Sequence, residues 1–264
     1  MRFVKQWLAW IGGNTLGGLA GLGRLTFLFL ETVGILISRR PRWNQTMRQL
    51  HFIGVRSIPV VIITGAFTGM VLAAQTYLQF HKVKMDTAVG AVVGVAMARE
   101  LGPVLTALMV AGRVGASIAA ELGTMRVTEQ IDALRALATH PVDFLVVPRF
   151  VAMMIAMPLL TGFSILMGIA SGYFVATQLF GVEGAFYIEN MDTFMRAQDL
   201  YQGLIKSMFF GLFIVMVCCY KGLHCRQGAE GVGHATTEAV VVSSITVLIS
   251  NFFITMLLNE VIPP

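Results

Sequence analysis

Residues 98–134 read ARELGPVLTALMVAGRVGASIAAELGTMRVTEQIDAL, and the way this stretch divides decides the fold. Arg99 and Glu100, adjacent and opposite in charge, sit inside an apolar run that starts at Met85. Pro103 follows, and the small-residue cluster GRVGAS (Gly112–Ser117) closes the run. The chain then becomes charged and amphipathic, with Glu121, Arg126, Glu129, Asp132 and Arg135 set among Ile118, Leu122, Met125, Ile131 and Leu134. The pattern predicts a membrane helix that passes directly into an amphipathic surface helix over 117–137.

Composition sets the class. Of 264 residues, 56% are hydrophobic and only 12% are charged, against about 25% charged in a soluble domain. Mean hydropathy is +0.75. This is an integral membrane protein with a single membrane domain. Its net charge of +5 implies no nucleic-acid partner, because anionic lipid surfaces attract Lys and Arg as well. Two of the three cysteines, Cys218 and Cys219, are adjacent in an apolar run and read as small buried hydrophobes.

A span needs roughly 20 apolar residues. Five stretches meet that rule: Ile58–Phe80, Met85–Val114, Phe150–Val182, Leu200–Tyr220 and Ala239–Asn259. The third is long enough for one tilted helix with an extension or for a helix plus a re-entrant piece. Ahead of them, residues 1–40 place Phe3, Trp7, Trp10 and Ile11 on one helical face beside Arg2 and Lys5. That arrangement predicts an N-terminal amphipathic helix lying in the interface. Within it, Leu25–Ser38 is more apolar yet carries Glu31, so it either extends the interfacial element or dips into the bilayer. With the N-terminus inside, the inner segments hold fourteen Lys and Arg and the outer segments three. By the positive-inside rule, the N-terminus is cytoplasmic. Glycine pairs at four-residue spacing, Gly65/Gly69, Gly90/Gly94 and Gly168/Gly172, predict close helix packing.

Three charges fall well inside the predicted spans, away from their ends. Glu100 lies about 21 Å along its helix from Asp86, within a hydrocarbon core of about 30 Å. Ionisable residues at that depth face a cavity or a partner. Neighbours on a helix point about 100° apart, so Arg99 and Glu100 address different surroundings. Pro103 cannot donate to the carbonyl of Arg99, which leaves that oxygen free. Lys206, about 9 Å into its span from Leu200, either joins this charge or snorkels to the interface. The three residues line a lipid headgroup path or fix helix register.

Other chemistries are missing from the pattern. There is no GxxxxGK[ST] phosphate loop, so the chain is expected to hold no ATP. HExxH and GxSxG are absent too. His51, His81, His140, His224 and His234 are scattered, without the convergent spacing of metal ligands. No catalytic residue, metal or cofactor is expected in this chain.

The strings RELGPVLTAL, AGRVGAS, AELGTMRVTEQIDAL and PRF (Pro148–Phe150) resemble the MlaE-type permeases, as does LIKS at Leu204–Ser207. These permeases are the membrane subunits of ABC transporters that move phospholipid with MCE-domain proteins. The resemblance implies a bacterial inner-membrane, multi-pass permease acting in outer-membrane lipid asymmetry. It implies Arg99, Glu100 and Lys206 as lipid-lining residues, and the 117–137 helix as a cytoplasmic coupling helix contacting an ATPase through Glu121, Arg126, Glu129 and Asp132. The ATPase would bind the ATP. A homodimer, a periplasmic MCE-domain lipid-binding protein and a small cytoplasmic regulator are the further partners it suggests. The expected fold is all-α and polytopic: an N-terminal interfacial helix, about five transmembrane helices and the coupling helix. Residues alone also admit a secondary transporter or channel using the three membrane charges as an ion path, or an intramembrane lipid enzyme.

Overall fold

The computed structural model describes residues 2–38, 42–226 and 228–261, with side chains from Leu19 onward and at Leu16. The interfacial face expected at Phe3, Trp7, Trp10 and Ile11 lies outside the described side chains. All regular structure among the described residues is helical, as the sequence predicts. The first helices are α1 (Arg2–Ser38), α2 (Trp43–Ile53) and α3 (Ile58–Phe80). One long helical rod follows, made of α4 (Val89–Ala96), α5 (Gly102–Val110) and α6 (Ala116–Val127), joined by π-turns at Met97–Leu101 and Ala111–Gly115. After it come α7 (Gln130–Ala136), α8 (Val147–Phe174), α9 (Gly184–Phe194), α10 (Ala197–Leu223) and α11 (Ala229–Val261).

Among the described residues, six helical stretches are long and apolar enough to cross a membrane: Leu19–Ser38, Trp43–Val83, Asp86–Val127, Val142–Leu179, Ala197–Leu223 and Ala229–Glu260. Five match the five predicted spans, with two differences at the ends: the second begins at Asp86 instead of Met85, and the third stops at Leu179 instead of Val182. The sixth, Leu19–Ser38, includes Leu25–Ser38, the segment whose sequence left its depth open, and Glu31 does not interrupt its helix. The apolar run at Phe150–Val182 is continuous helix to Leu179, with Pro158 inside it, and contains no re-entrant piece.

Direction alternates along the chain. α3, α8 and α11 run away from the end that carries Arg42, Arg48, Arg149 and Lys221, here called the basic end. The rod and α10 run towards it. The far end is closed by α9, which packs on α4. Gly90 faces the ring and carbonyl of Tyr187, and Gly94 faces Met191. The other two glycine pairs lock α3 to α8. A Cβ at Gly65 would lie 2.7 Å from the Ser164 carbonyl oxygen, and one at Gly69 would meet the Gly168 carbonyl. Close approach of two helix backbones is possible only where both faces lack side chains.

The interior has two apolar clusters. One, at the basic end, is built on Ile118, Leu122, Met153, Met157, Phe210 and Ile214. The other, at the far end, is built on Val89, Val93, Met97, Val175 and Tyr187. α10 is the central element, 61% buried over its span, whereas α11 and the span of α1 are 11% buried. The described contacts of α1 are with α10 and with the segment that leads into α8. Glu31 meets His140 at 3.3 Å, and the Phe29 and Phe150 rings lie 6.4 Å apart.

The 117–137 stretch is not one surface helix. The rod continues through it to Val127, with Ile118, Ala119, Leu122 and Gly123 buried. A turn at Thr128–Glu129 then breaks the helix, and Glu129 takes a left-handed backbone (φ 58°, ψ 12°). Only α7 beyond that turn is a separate surface element, anchored by Ile131.

Candidate functional site

The three membrane charges meet where the two apolar clusters adjoin. The cause lies in the backbone. Pro103 has no N–H to give the Arg99 carbonyl, and the rod widens into the π-turn Met97–Leu101 just before it. The freed carbonyl is taken by Lys206, whose Nζ donates to Arg99 O at 3.0 Å and to Glu100 Oε1 at 2.6 Å. α10 can come this close because Gly203, one turn before Lys206, packs on the Ala98 carbonyl and the Pro103 ring. α10 begins at Ala197, so Lys206 lies about 14 Å into its helix rather than about 9 Å. Its side chain is 1% exposed, so it does not snorkel.

Arg99 and Glu100 diverge as helix geometry requires, and both find partners. The Arg99 guanidinium pairs with Asp199, Nε to Oδ1 at 2.6 Å. Asp199 is buried in the first turn of α10, where its other oxygen accepts the Arg196 backbone N–H at 2.9 Å. Glu100 turns to α11. Its Oε2 accepts from Asn251 Nδ2 at 3.0 Å, and Thr255 Oγ1 lies 3.2 Å from its Oε1. Two cations and two carboxylates thus balance in a site that joins the rod, α10 and α11. Arg99 Nη2 and Asn251 Oδ1 remain buried without hydrogen-bond partners, and the Glu100 side chain keeps 39% of its exposure.

Asp199, Asn251 and Thr255 were not singled out from sequence. Asp199 did carry a signal: it precedes Lys206 by two helical turns and therefore shares its face. Asn251 is a polar amide within an uncharged span, with Thr255 one turn on.

The coupling residues lie elsewhere, at the basic end. Glu121 pairs with the buried Arg149 at 2.8 Å. Arg126 and Arg135 both hold Asp132, at 2.9 and 3.2 Å. Glu129 stands in the turn between α6 and α7. Arg126, Glu129 and Asp132 therefore cluster on the exposed turn, while Glu121 belongs to the body of the helix bundle. Among the described residues no group of His, Cys, Asp and Glu is arranged to hold a metal.

Residues 46–257 match the family described as Permease MlaE. A probable ABC transporter permease protein of Rickettsia conorii is 43% identical over 251 residues, covering 95% of this chain and 97% of the relative. Another from Synechocystis is 41% identical, over 88% of this chain and 87% of the relative. The intermembrane phospholipid transport system permease protein MlaE of Haemophilus influenzae is 33% identical, over 97% of this chain and 98% of the relative.

Proposed function

The chain belongs to the MlaE permease family, and on that footing we propose that it is the transmembrane subunit of an ABC transporter that moves phospholipid, with the Arg99–Glu100–Lys206 site as its headgroup contact. It is a permease subunit and not an enzyme. The observation that carries the lipid reading is the charged site itself. Four ionised groups, two on the rod and two on α10, are kept together inside the helix bundle, which is costly unless they are used.

The geometry divides the work. A phospholipid phosphate approaching the site meets Arg99, which retains an unpartnered guanidinium nitrogen. A phosphate beside a cation in a low-dielectric setting makes a charge-assisted contact. Glu100, the more exposed carboxylate, faces an amine headgroup or holds the cations when lipid is absent. Lys206 is enclosed, so it acts as a positioning residue that fixes the Glu100 carboxylate and the Arg99 carbonyl.

In the assembly we picture, two copies of this chain form the lipid path and a separate ATPase binds ATP. That ATPase docks on the exposed Thr128–His140 turn, beside a small cytoplasmic regulator. A periplasmic MCE-domain protein exchanges lipid at the far end. The basic end then faces the cytoplasm of a bacterial inner membrane, as the distribution of Lys and Arg favours.

The test is to reconstitute the permease with its ATPase in lipid nanodiscs. Arg99→Gln and Glu100→Gln should lower both copurified phospholipid and lipid-stimulated ATP hydrolysis while the protein stays assembled. Normal lipid occupancy accompanied by a large loss of thermal stability would sink the headgroup role. Glu129→Lys or Asp132→Lys should weaken ATPase pull-down, and unchanged capture would move the docking site.

A further inference from the structure

Pro148–Phe150, the PRF string, is part of neither the charged membrane site nor the exposed coupling turn, yet its arginine is among the most enclosed charges in the molecule. Arg149 is 3% exposed. Its guanidinium donates Nη1 to the Leu145 carbonyl at 2.6 Å and Nη2 lies 2.8 Å from Glu121, but Nε is buried without a partner. It borders a cavity of about 260 Å³ whose polar walls are Gln45, Arg48 and Gln49 of α2 and Glu121 of α6, with Met125 and Phe144 among the apolar ones. The side-chain oxygens assigned as Gln45 Oε1 and Gln49 Oε1 are also buried without partners. An amide can turn either its oxygen or its NH₂ edge to a ligand. The site therefore offers two guanidinium groups, two amides and one carboxylate.

Buried polar groups left open in a cavity have a ligand chemistry. Here the donors exceed the acceptors, and the charge around the cavity is +1 from Arg48, Arg149 and Glu121. That selects an anion able to accept several hydrogen bonds, such as a phosphate. The setting selects its source. α2 is amphipathic, with Trp43 and Met47 both 56% exposed beside this cavity wall. An exposed Trp on an amphipathic basic helix is the signature of an element at the lipid headgroup level. We infer that this cavity is a second phosphate site, which holds the headgroup of an anionic phospholipid at the basic end, far from the Arg99–Lys206 cluster. The inference rests on the membrane placement of the basic end, and not on lipid being transported.

The experiment uses the full chain in detergent, titrated with dihexanoyl-phosphatidylglycerol and, separately, with inorganic phosphate. Arg48→Gln and Gln49→Leu change partly exposed positions on α2 and leave Arg149 paired. Each should weaken phosphatidylglycerol binding by about tenfold, the size of one charge-assisted contact. Arg226→Gln, an exposed arginine at the same end, should leave binding within about twofold, which separates a built site from general attraction. Equal affinity of wild type and both α2 variants for the lipid overturns the proposal. Inorganic phosphate binding as tightly as the lipid overturns the assignment to a headgroup. Variants that release the ATPase while keeping lipid affinity would assign the cavity to that partner instead. Transport defects cannot mimic these results, because the readout is binding to the isolated permease.

Discussion

The two ends of the molecule handle charge differently. At the junction with the far end, Lys206 at 1% meets Glu100 at 39% and Asp199 at 7% meets Arg99 at 23%, and further partners tie the two pairs together: Lys206 also donates to the Arg99 carbonyl, and Glu100 is reached by Asn251 and Thr255. At the basic end the pairs stand singly, each with one open member: Arg149 at 4% meets Glu121 at 49%, Asp143 at 8% meets Arg42 at 42%, and Lys221 at 28% meets Glu238 at 44%. The first arrangement is part of the fold, since removing Glu100 strands the enclosed Lys206 and removing Arg99 strands the enclosed Asp199. The second is a row of half-satisfied groups, screened by water and salt and open to other molecules.

The largest expected effect tests the enclosed end. Glu100→Leu leaves the enclosed Lys206 without its carboxylate, and should cost about 3–5 kcal/mol, read as the loss of thermal stability in detergent. A loss below about 1 kcal/mol would mean that the cluster is solvated and the contrast between the ends is false. Next comes the Arg99–Asp199 pair. A double-mutant cycle with Arg99→Met and Asp199→Leu should give a coupling of about 1–3 kcal/mol. That coupling should persist in about 1 M salt, because enclosed pairs are screened little. Glu121→Gln at the basic end should cost only about 1 kcal/mol, since half of the carboxylate is already solvated and the amide still accepts from Arg149. Asp132→Asn should be smallest, within about 0.5 kcal/mol, and should show in ATPase capture rather than in melting.

The same contrast explains what could be read from sequence. Arg99, Glu100 and Lys206 were legible because a charge inside an apolar run is rare and costly. Even the Arg99 carbonyl could be picked out, since Pro103 removes its usual donor. Asp199 was not, because it stands at the edge of its span, where a carboxylate reads as a solvated end. Asn251 and Thr255 carry no charge to mark them. The limit of the second span was set too early for a related reason. Glu121 reads as a surface residue, but the charge that neutralises it, Arg149, arrives from another helix, and no local pattern announces that pairing. The remainder of 117–137 divides at Glu129, whose left-handed backbone is uncommon for a residue with a side chain and so had no sequence signal. Leu25–Ser38 stayed undecided because Glu31 lies in it, and its partner, His140, is distant in the chain.

The glycine seams have a mechanical consequence. Gly65 and Gly69 interlock with Ser164 and Gly168, and Ser171 Oγ donates to the Ala66 carbonyl at 2.7 Å, so α3 and α8 cannot slide past each other without a backbone clash. α10 is pinned to the rod in the same way, at Gly203 against Ala98 and at Gly222 against Ala119 and Leu122. These four rods form a stator. α11 packs along α10 and α6 through the fully buried Ala239, Ser243 and Val247, and is tied further by Lys221–Glu238 near its basic end and by the reach of Asn251 and Thr255 to Glu100 near its far end. Beyond Val247 those polar contacts to Glu100 are what fasten it to the rod. Asn251 is then a latch, and a ligand that competes for the Glu100 carboxylate also loosens the far end of α11.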